Sequence, residues 1–225
     1  MPWLGFFKKI SKVDHWIVLD HTTTNPKDAA FWGRRVKILV NGDGKWLSMP
    51  LSKPESAVVG VPIRDINFSA SDPKFWRKKL QTIQMAYASA PFFDKYFPIV
   101  QHFFDNSTLN LVERNMAFIK AVCSVLDITP EISFSSDYGI SSRSTQLLVD
   151  LLKSRGARTY VCGDGASGYQ DDELIIGNGI ELEYNNFAHP VYPQLRTSAF
   201  VSGLSVIDAL FMVGEEQVSK WMGSR

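Results

Sequence analysis

The sequence predicts an α/β fold: a mostly parallel sheet with flanking helices, a β-hairpin and a helical insertion at about residues 72–127, within one domain of 225 residues. Three observations carry this prediction. The apolar runs His15-Trp16-Ile17-Val18-Leu19-Asp20 and Tyr160-Val161-Cys162 stop abruptly in polar or glycine-rich residues, as strands buried on both faces do. Asn41-Gly42-Asp43-Gly44 lies between two strand-like runs, Val36 to Val40 and Lys45 to Pro50, and signals a hairpin. From Pro73 to Leu126 the apolar period lengthens, with Trp76, Leu80, Ile83 and Tyr87 on one helical face and Met116, Ile119 and Val122 on another.

In chain order, Phe6, Phe7, Ile10 and Val13 around Lys8, Lys9 and Lys12 predict a short amphipathic helix that Asp14 closes. The strand from His15 follows, and Asp20 at its end is placed where ligands meet open α/β sheets. Arg34 and Arg35 beside aromatic residues have the guanidinium forks that grip phosphate or carboxylate. Ala57 to Pro62 and Ile63 to Phe68 read as edge strands. Ser71-Asp72-Pro73 is a helix start, and Pro91 and Pro98 punctuate the three helices of the insert.

Glu131 to Ser136 reads as a strand ending in the polar cluster Ser135-Ser136-Asp137. A helix capped by Ser141 or Ser142 then runs to Gly156 and leads into the strand at Arg158 to Cys162, giving a β-α-β unit with a right-handed crossover. A further strand spans Ile180 to Tyr184. Leu204 to Trp221 is a closing helix in which Asp208 stands among Val206, Ile207, Leu210 and Phe211, either buried and paired or facing a pocket.

Composition narrows the function. With 24 Lys+Arg against 23 Asp+Glu, the net charge of +1 supplies no global field for nucleic acid. Two distant cysteines, Cys123 and Cys162, give neither a disulfide framework nor CxxC zinc spacing, and a cytoplasmic location is expected. No apolar run approaches the ~20 residues of a membrane helix, so no membrane insertion is expected.

The working end is expected between Thr159 and Gln194. Gly163-x-Gly165-x-x-Gly168 formally matches a dinucleotide fingerprint, but Tyr169-Gln170-Asp171-Asp172-Glu173 follows in place of a long apolar helix, which points to a loop lining some other ligand. In His189-Pro190-Val191-Tyr192-Pro193-Gln194 two prolines stiffen a loop that carries an imidazole, a phenol and an amide. His189 is an acid/base candidate because its ordinary pKa lies near neutrality, and Cys162 is a nucleophile candidate at a strand end. His15, His21, His102 and His189 lack HxH or HxxxH spacing, so no metal site is predicted.

Pro2-Trp3-Leu4-Gly5-Phe6-Phe7, Trp32-Gly33-Arg34-Arg35-Val36-Lys37-Ile38, Lys45-Trp46-Leu47 to Pro50 and the segment Tyr87 to Phe93 resemble the WbqC-like family. So do Ser135-Ser136-Asp137, Tyr160-Val161-Cys162-Gly163 with Tyr169, the His189 to Gln194 loop, and Leu204-Ser205-x-Ile207-Asp208-x-Leu210-Phe211. The resemblance covers essentially the whole chain, in order. Departures are Arg34 and Val36 where that family tends to have asparagines, Cys162 where serine is usual, and the missing strand, ending in Gln-Pro-x-Tyr, that usually comes before the Pro-Trp-Leu-Gly run.

The resemblance implies a transferase of bacterial surface-glycan (O-antigen) synthesis that adds an acyl or aminoacyl group, glycyl for example, to the amine of a nucleotide-linked amino sugar. It implies an activated acyl or aminoacyl donor, with ATP as a further cofactor candidate, a nucleotide sugar as partner, and room for a homodimer. On that reading His189 is the base, with Asp137 and Cys162 as further catalytic candidates. Arg35 and Lys37 hold phosphates, while Gly163, Gly165, Tyr169, Tyr192 and Gln194 position substrate. Asp20, Asp137 and Asp208 meet sugar hydroxyls, and Ser135 and Ser136 bind substrate. The alternative is a non-catalytic protein that binds a nucleotide sugar or scaffolds glycan enzymes.

Overall fold

The computed structural model describes residues 1–23, 31, 33–69 and 73–223. Trp32 of the aromatic-arginine stretch, and Ser71 and Asp72 of the expected helix start, lie outside the described residues. In order the elements are α1 (Leu4–Ser11), β1 (His15–Val18), β2 (Arg35–Val40), β3 (Asp43–Ser48), α2 (Glu55–Val58), α3 (Pro73–Tyr87), α4 (Phe93–Asp105) and α5 (Leu111–Val125). Then come β4 (Glu131–Phe134), α6 (Ser144–Ser154), β5 (Thr159–Cys162), α7 (Asp172–Gly177), β6 (Glu181–Tyr184) and α8 (Val206–Met222).

The fold is α/β with short parallel sheets, flanking helices and an antiparallel hairpin. Its parallel strands form two separate pairs, β1 with β4 and β5 with β6, while β2 and β3 form the hairpin. This corrects the expected β-α-β unit. Although α6 links β4 to β5, β4 takes as its partner β1, whose His-Trp-Ile-Val is a larger apolar surface than the Thr-Tyr-Val-Cys of β5. Arg155 just after α6 pairs with Glu131 at the start of β4 at 2.7 Å.

The hairpin forms as expected, because Asn41 (φ 53°) and Gly42 (φ 84°) both adopt the positive φ of a two-residue primed turn. The edge strands expected after Ala57 do not form. Pro54 and Pro62, each at φ −54°, preset turns, and α2 and a 3-10 turn at Ile63–Asp65 follow them. Only isolated bridges, such as Leu51 to Phe68, recover some pairing. Pro98 lies inside α4 rather than ending a helix; near the first turn it removes the partner of one carbonyl, that of Asp94. Ser142 does not cap α6 but donates to Asp150 at 2.6 Å.

The main core is organised on α8, which packs against α4 and α1. Val206, Ile207, Ala209, Leu210 and Phe211 are all buried on it, and each large side chain so buried contributes about 1.5–3 kcal/mol. Three backbone bonds tie this helix to distant chain: Val206 N–H to the Pro2 carbonyl, Ser205 N–H to that of Lys37, and Phe92 N–H to that of Phe211. The helix bends at Gly214, whose φ of 74° and closeness to the Phe92 ring exclude a side chain there. A smaller cluster of Val149, Ile175 and Ile180 joins α6 and α7 to the chain entering β6.

A Cβ at Gly42 would overlap the Arg196 carbonyl oxygen, in addition to the strain of its positive φ. Gly42→Ala is therefore expected to destabilise the protein by about 1–3 kcal/mol, measured by urea denaturation. A Gly60→Ala control shares the positive φ but meets no neighbour, and should cost less.

Candidate functional site

A cleft of about 1140 Å³ opens between β1 and β5. Phe6, Lys9 and Ile10 of α1 contribute to its walls, as do Leu148, Leu151 and Leu152 of α6. Where the strands end, Asp20, Gly163, Asp164, Phe187 and His189 gather at its rim. The loops after parallel strands converge there because the strands run the same way. Among the sequence candidates, Asp20, Gly163 and His189 line the cleft.

Asp20 is a clamp between β1 and β4. Its Oδ1 accepts from the Ser136 amide at 2.9 Å and the Ser135 hydroxyl at 3.1 Å, and its Oδ2 from the Ser136 hydroxyl at 2.7 Å. Burial alone would push the carboxyl pKa up; these donors outweigh it and hold it below the usual range. Ser135 Oγ also stands 2.6 Å from His21 Nδ1. Since the Ser135 proton goes to Asp20, His21 Nδ1 donates to Ser135. Here serine lies between the acid and the histidine, so this is not the order that activates a serine nucleophile.

Asp164 performs the same task across β5 and β6, accepting from the Asn186 and Phe187 amides through its two carboxylate oxygens. That fixes the segment carrying His189, whose ring meets Phe187 edge to face with centroids 4.9 Å apart. Burial lowers the His189 pKa, and the nearby Lys37 charge lowers it further. The imidazole is thus neutral and basic at pH 7. Lys9 also faces this rim; burial lowers its pKa while Asp164 opposes the change. Among the described residues no group of three His, Cys, Asp or Glu side chains is placed to hold a metal ion.

The sequence model of the WbqC-like protein family matches residues 1–220. The chain belongs to that family. It is similar to Uncharacterized protein Rv1507c of Mycobacterium tuberculosis, with 27% identity over 222 residues that cover 96% of this chain and 91% of the relative. No solved structure matches it. Among the described residues no helix is long and apolar enough to cross a membrane.

Other sequence candidates of this WbqC-like chain do not line the cleft. Tyr192 and Asp208 are buried in the core, where Asp208 Oδ2 accepts from the Tyr192 hydroxyl at 2.8 Å and from Gln194 at 3.3 Å. Cys162 is buried at the end of β5, its thiol pushed up by desolvation. Arg35 stacks on Trp46 at 4.1 Å, with Lys37 at 5.6 Å from the same ring. Tyr169, Gly165 and Asp137 are exposed, and Ser135 and Ser136 serve Asp20. Sequence reading missed Lys9, His21 and Asp164. His21 was signalled only by its place next to a strand-end acid.

Neither cysteine is expected to react with iodoacetamide at pH 7.5 without denaturant, since Cys123 is pushed up to about 12 and Cys162 is raised and buried. Mass spectrometry of the native protein checks this. Burial raises the Asp208 pKa above its ordinary 3.8 despite its hydrogen-bond donors. The folded state then holds that proton more tightly than the unfolded chain, so the contribution is present in acid and is lost as pH rises from about 3.8 through the raised value. Relative to the unaltered protein, Asp208→Asn should gain stability across that rise, measured by denaturation from pH 3.5 upward.

Proposed function

We propose that the rim of the β1–β5 cleft is the active site of a transferase that acylates the amine of a nucleotide-linked amino sugar in bacterial surface-glycan synthesis. The observation carrying this reading is the convergence of His189, Asp20, Asp164 and the Gly163 backbone on one opening, with Lys9 and Lys37 nearby. A Cβ at Gly163 or Gly165 would meet no neighbour, so packing does not require glycine there; open space over a bare backbone suits close approach of a ligand.

The sugar amine attacks the acyl carbon of an activated donor. A C–N bond forms, the bond to the donor's leaving group breaks, and the proton lost by the amine passes to the neutral His189 imidazole. Lys37 and Arg35, stacked together on Trp46, are suited to the nucleotide phosphates. Asp20 and Asp164 position the loops, and the Gly163 amide positions substrate.

A second reading is a nucleotide-sugar-binding protein without catalysis. The burial of Cys162 and Tyr192 favours it, because it leaves His189 with few chemical partners at the rim.

Incubation with amino-sugar nucleotides and acyl or aminoacyl donors, followed by mass spectrometry, should give a product heavier by one acyl unit. His189→Ala should lower its rate by about 10²-fold or more. The rate should fall in acid, below the ordinary histidine value of 6.5, because the base works unprotonated and its pKa is lowered. Nucleotide-sugar binding with no product from any donor would favour the second reading.

A further inference from the structure

Side chains alternate between the two faces of the β2–β3 hairpin. Val36, Ile38 and Leu47 enter the core, while Arg35, Lys37, Gly44 and Trp46 share the outer face. Lys37 stands directly across the ladder from Trp46, and Arg35 lies on the diagonal. The Arg35 guanidinium carbon is 4.1 Å from the centre of the indole and the Lys37 ammonium 5.6 Å from it. Gly44 makes room for the lysine: a Cβ there would come within 2.8 Å of the Lys37 stem and 3.1 Å of Val201.

This group is cationic and without a counterion. Among the described residues neither Arg35 nor Lys37 forms an ion pair, whereas Lys45 of the same hairpin pairs with Asp43 at 3.2 Å. Arg35 Nε is buried without a hydrogen-bond partner. Trp46 remains 48% exposed. With Arg35 lying on one face of the indole, that exposure leaves the rest of the ring to a planar ligand, and a stacked guanidinium keeps its edge N–H groups for oxyanions. An aromatic surface flanked by two unpaired cations matches a molecule that joins a flat ring to a chain of phosphates.

We propose that this face binds the nucleoside diphosphate part of the substrate, with the base stacked on Trp46 and the diphosphate held by Lys37 and the edge of Arg35. The inference rests on the nucleotide sugar of the preceding reading and not on acyl transfer. Lys37 acts electrostatically on His189, so a diphosphate bound to Lys37 brings the linked sugar toward the rim. Stacking uses the face of a base and not its edge. Trp46 is then the residue that favours nucleotide-linked sugars over simple sugar phosphates, and it accepts uracil and adenine alike.

The test is calorimetric titration of the full chain with UDP, ADP and inorganic pyrophosphate, together with NMR of the Trp46 indole N–H. UDP and ADP should each bind about fivefold or more tighter than pyrophosphate, and both should shift the indole signal. Trp46→Leu should abolish that advantage, and Trp46→Phe, which keeps an aromatic face, should retain most of it; thermal melting checks that both variants fold. Pyrophosphate binding as tightly as the nucleotides, an unmoved Trp46 signal, unchanged UDP affinity in Trp46→Leu, or no binding at millimolar ligand would each overturn the proposal. Acylated product is assayed separately. Nucleotide binding at Trp46 without product from any donor counts against the transferase reading alone, and product formation with Trp46 undisturbed counts against the stacking site alone.

Discussion

A parallel strand with a partner on one side has half of its backbone groups to place elsewhere, and in this protein that constraint falls on β1 and β5 at once. Each is secured on its outer edge, by β4 and by β6, and the inner edges face one another across a cleft. Helices α1 and α6 contribute the apolar walls, and the loops that leave the strands form its rim. The location of the candidate site thus follows from which edges are paired. Without the split between the two strand pairs, the rim would be a continuous sheet edge.

Two carboxylates hold that arrangement in similar ways. Asp20 gathers the start of the loop after β4, and Asp164 gathers the loop after β6, each by accepting backbone N–H groups. Asp20, engaged in this way, is a poor proton acceptor, because its charged form is already stabilised. His189, by contrast, has its charged form disfavoured by burial and by Lys37. The division accords with the proposed roles, positioning for the acids and proton transfer for the imidazole. It also separates the rim from the Asp208, Tyr192 and Gln194 group, which satisfies a buried acid inside the core.

Much of the fold was legible in the sequence where a local rule determines the geometry. Asn41-Gly42 specifies its turn because both residues tolerate positive φ, and the insert helices are written in the spacing of Trp76, Leu80, Ile83 and Tyr87. Strand pairing was not legible, because four-residue strands such as Glu131–Phe134 carry too few side chains to encode a partner or register. For the site, strand ends are the signal by which the sequence singles out Asp20 and Gly163, and both line the cleft together with His189. Lys9 could not be found that way, since its nearness to Asp164 depends on how α1 is placed in the fold. Asp208 was ambiguous for a related reason: an acid among apolar neighbours signals burial but does not identify the donors, which come from a separate loop and from α3.

The most direct test of the rim as the binding site is an NMR titration of labelled protein with an amino-sugar nucleotide. The account predicts shifts concentrated at Asp20, Gly163, Asp164, Phe187 and His189, with a smaller response at Lys37. Shifts confined to surfaces away from the cleft, such as Met85, Ile176 or Val191, would contradict it.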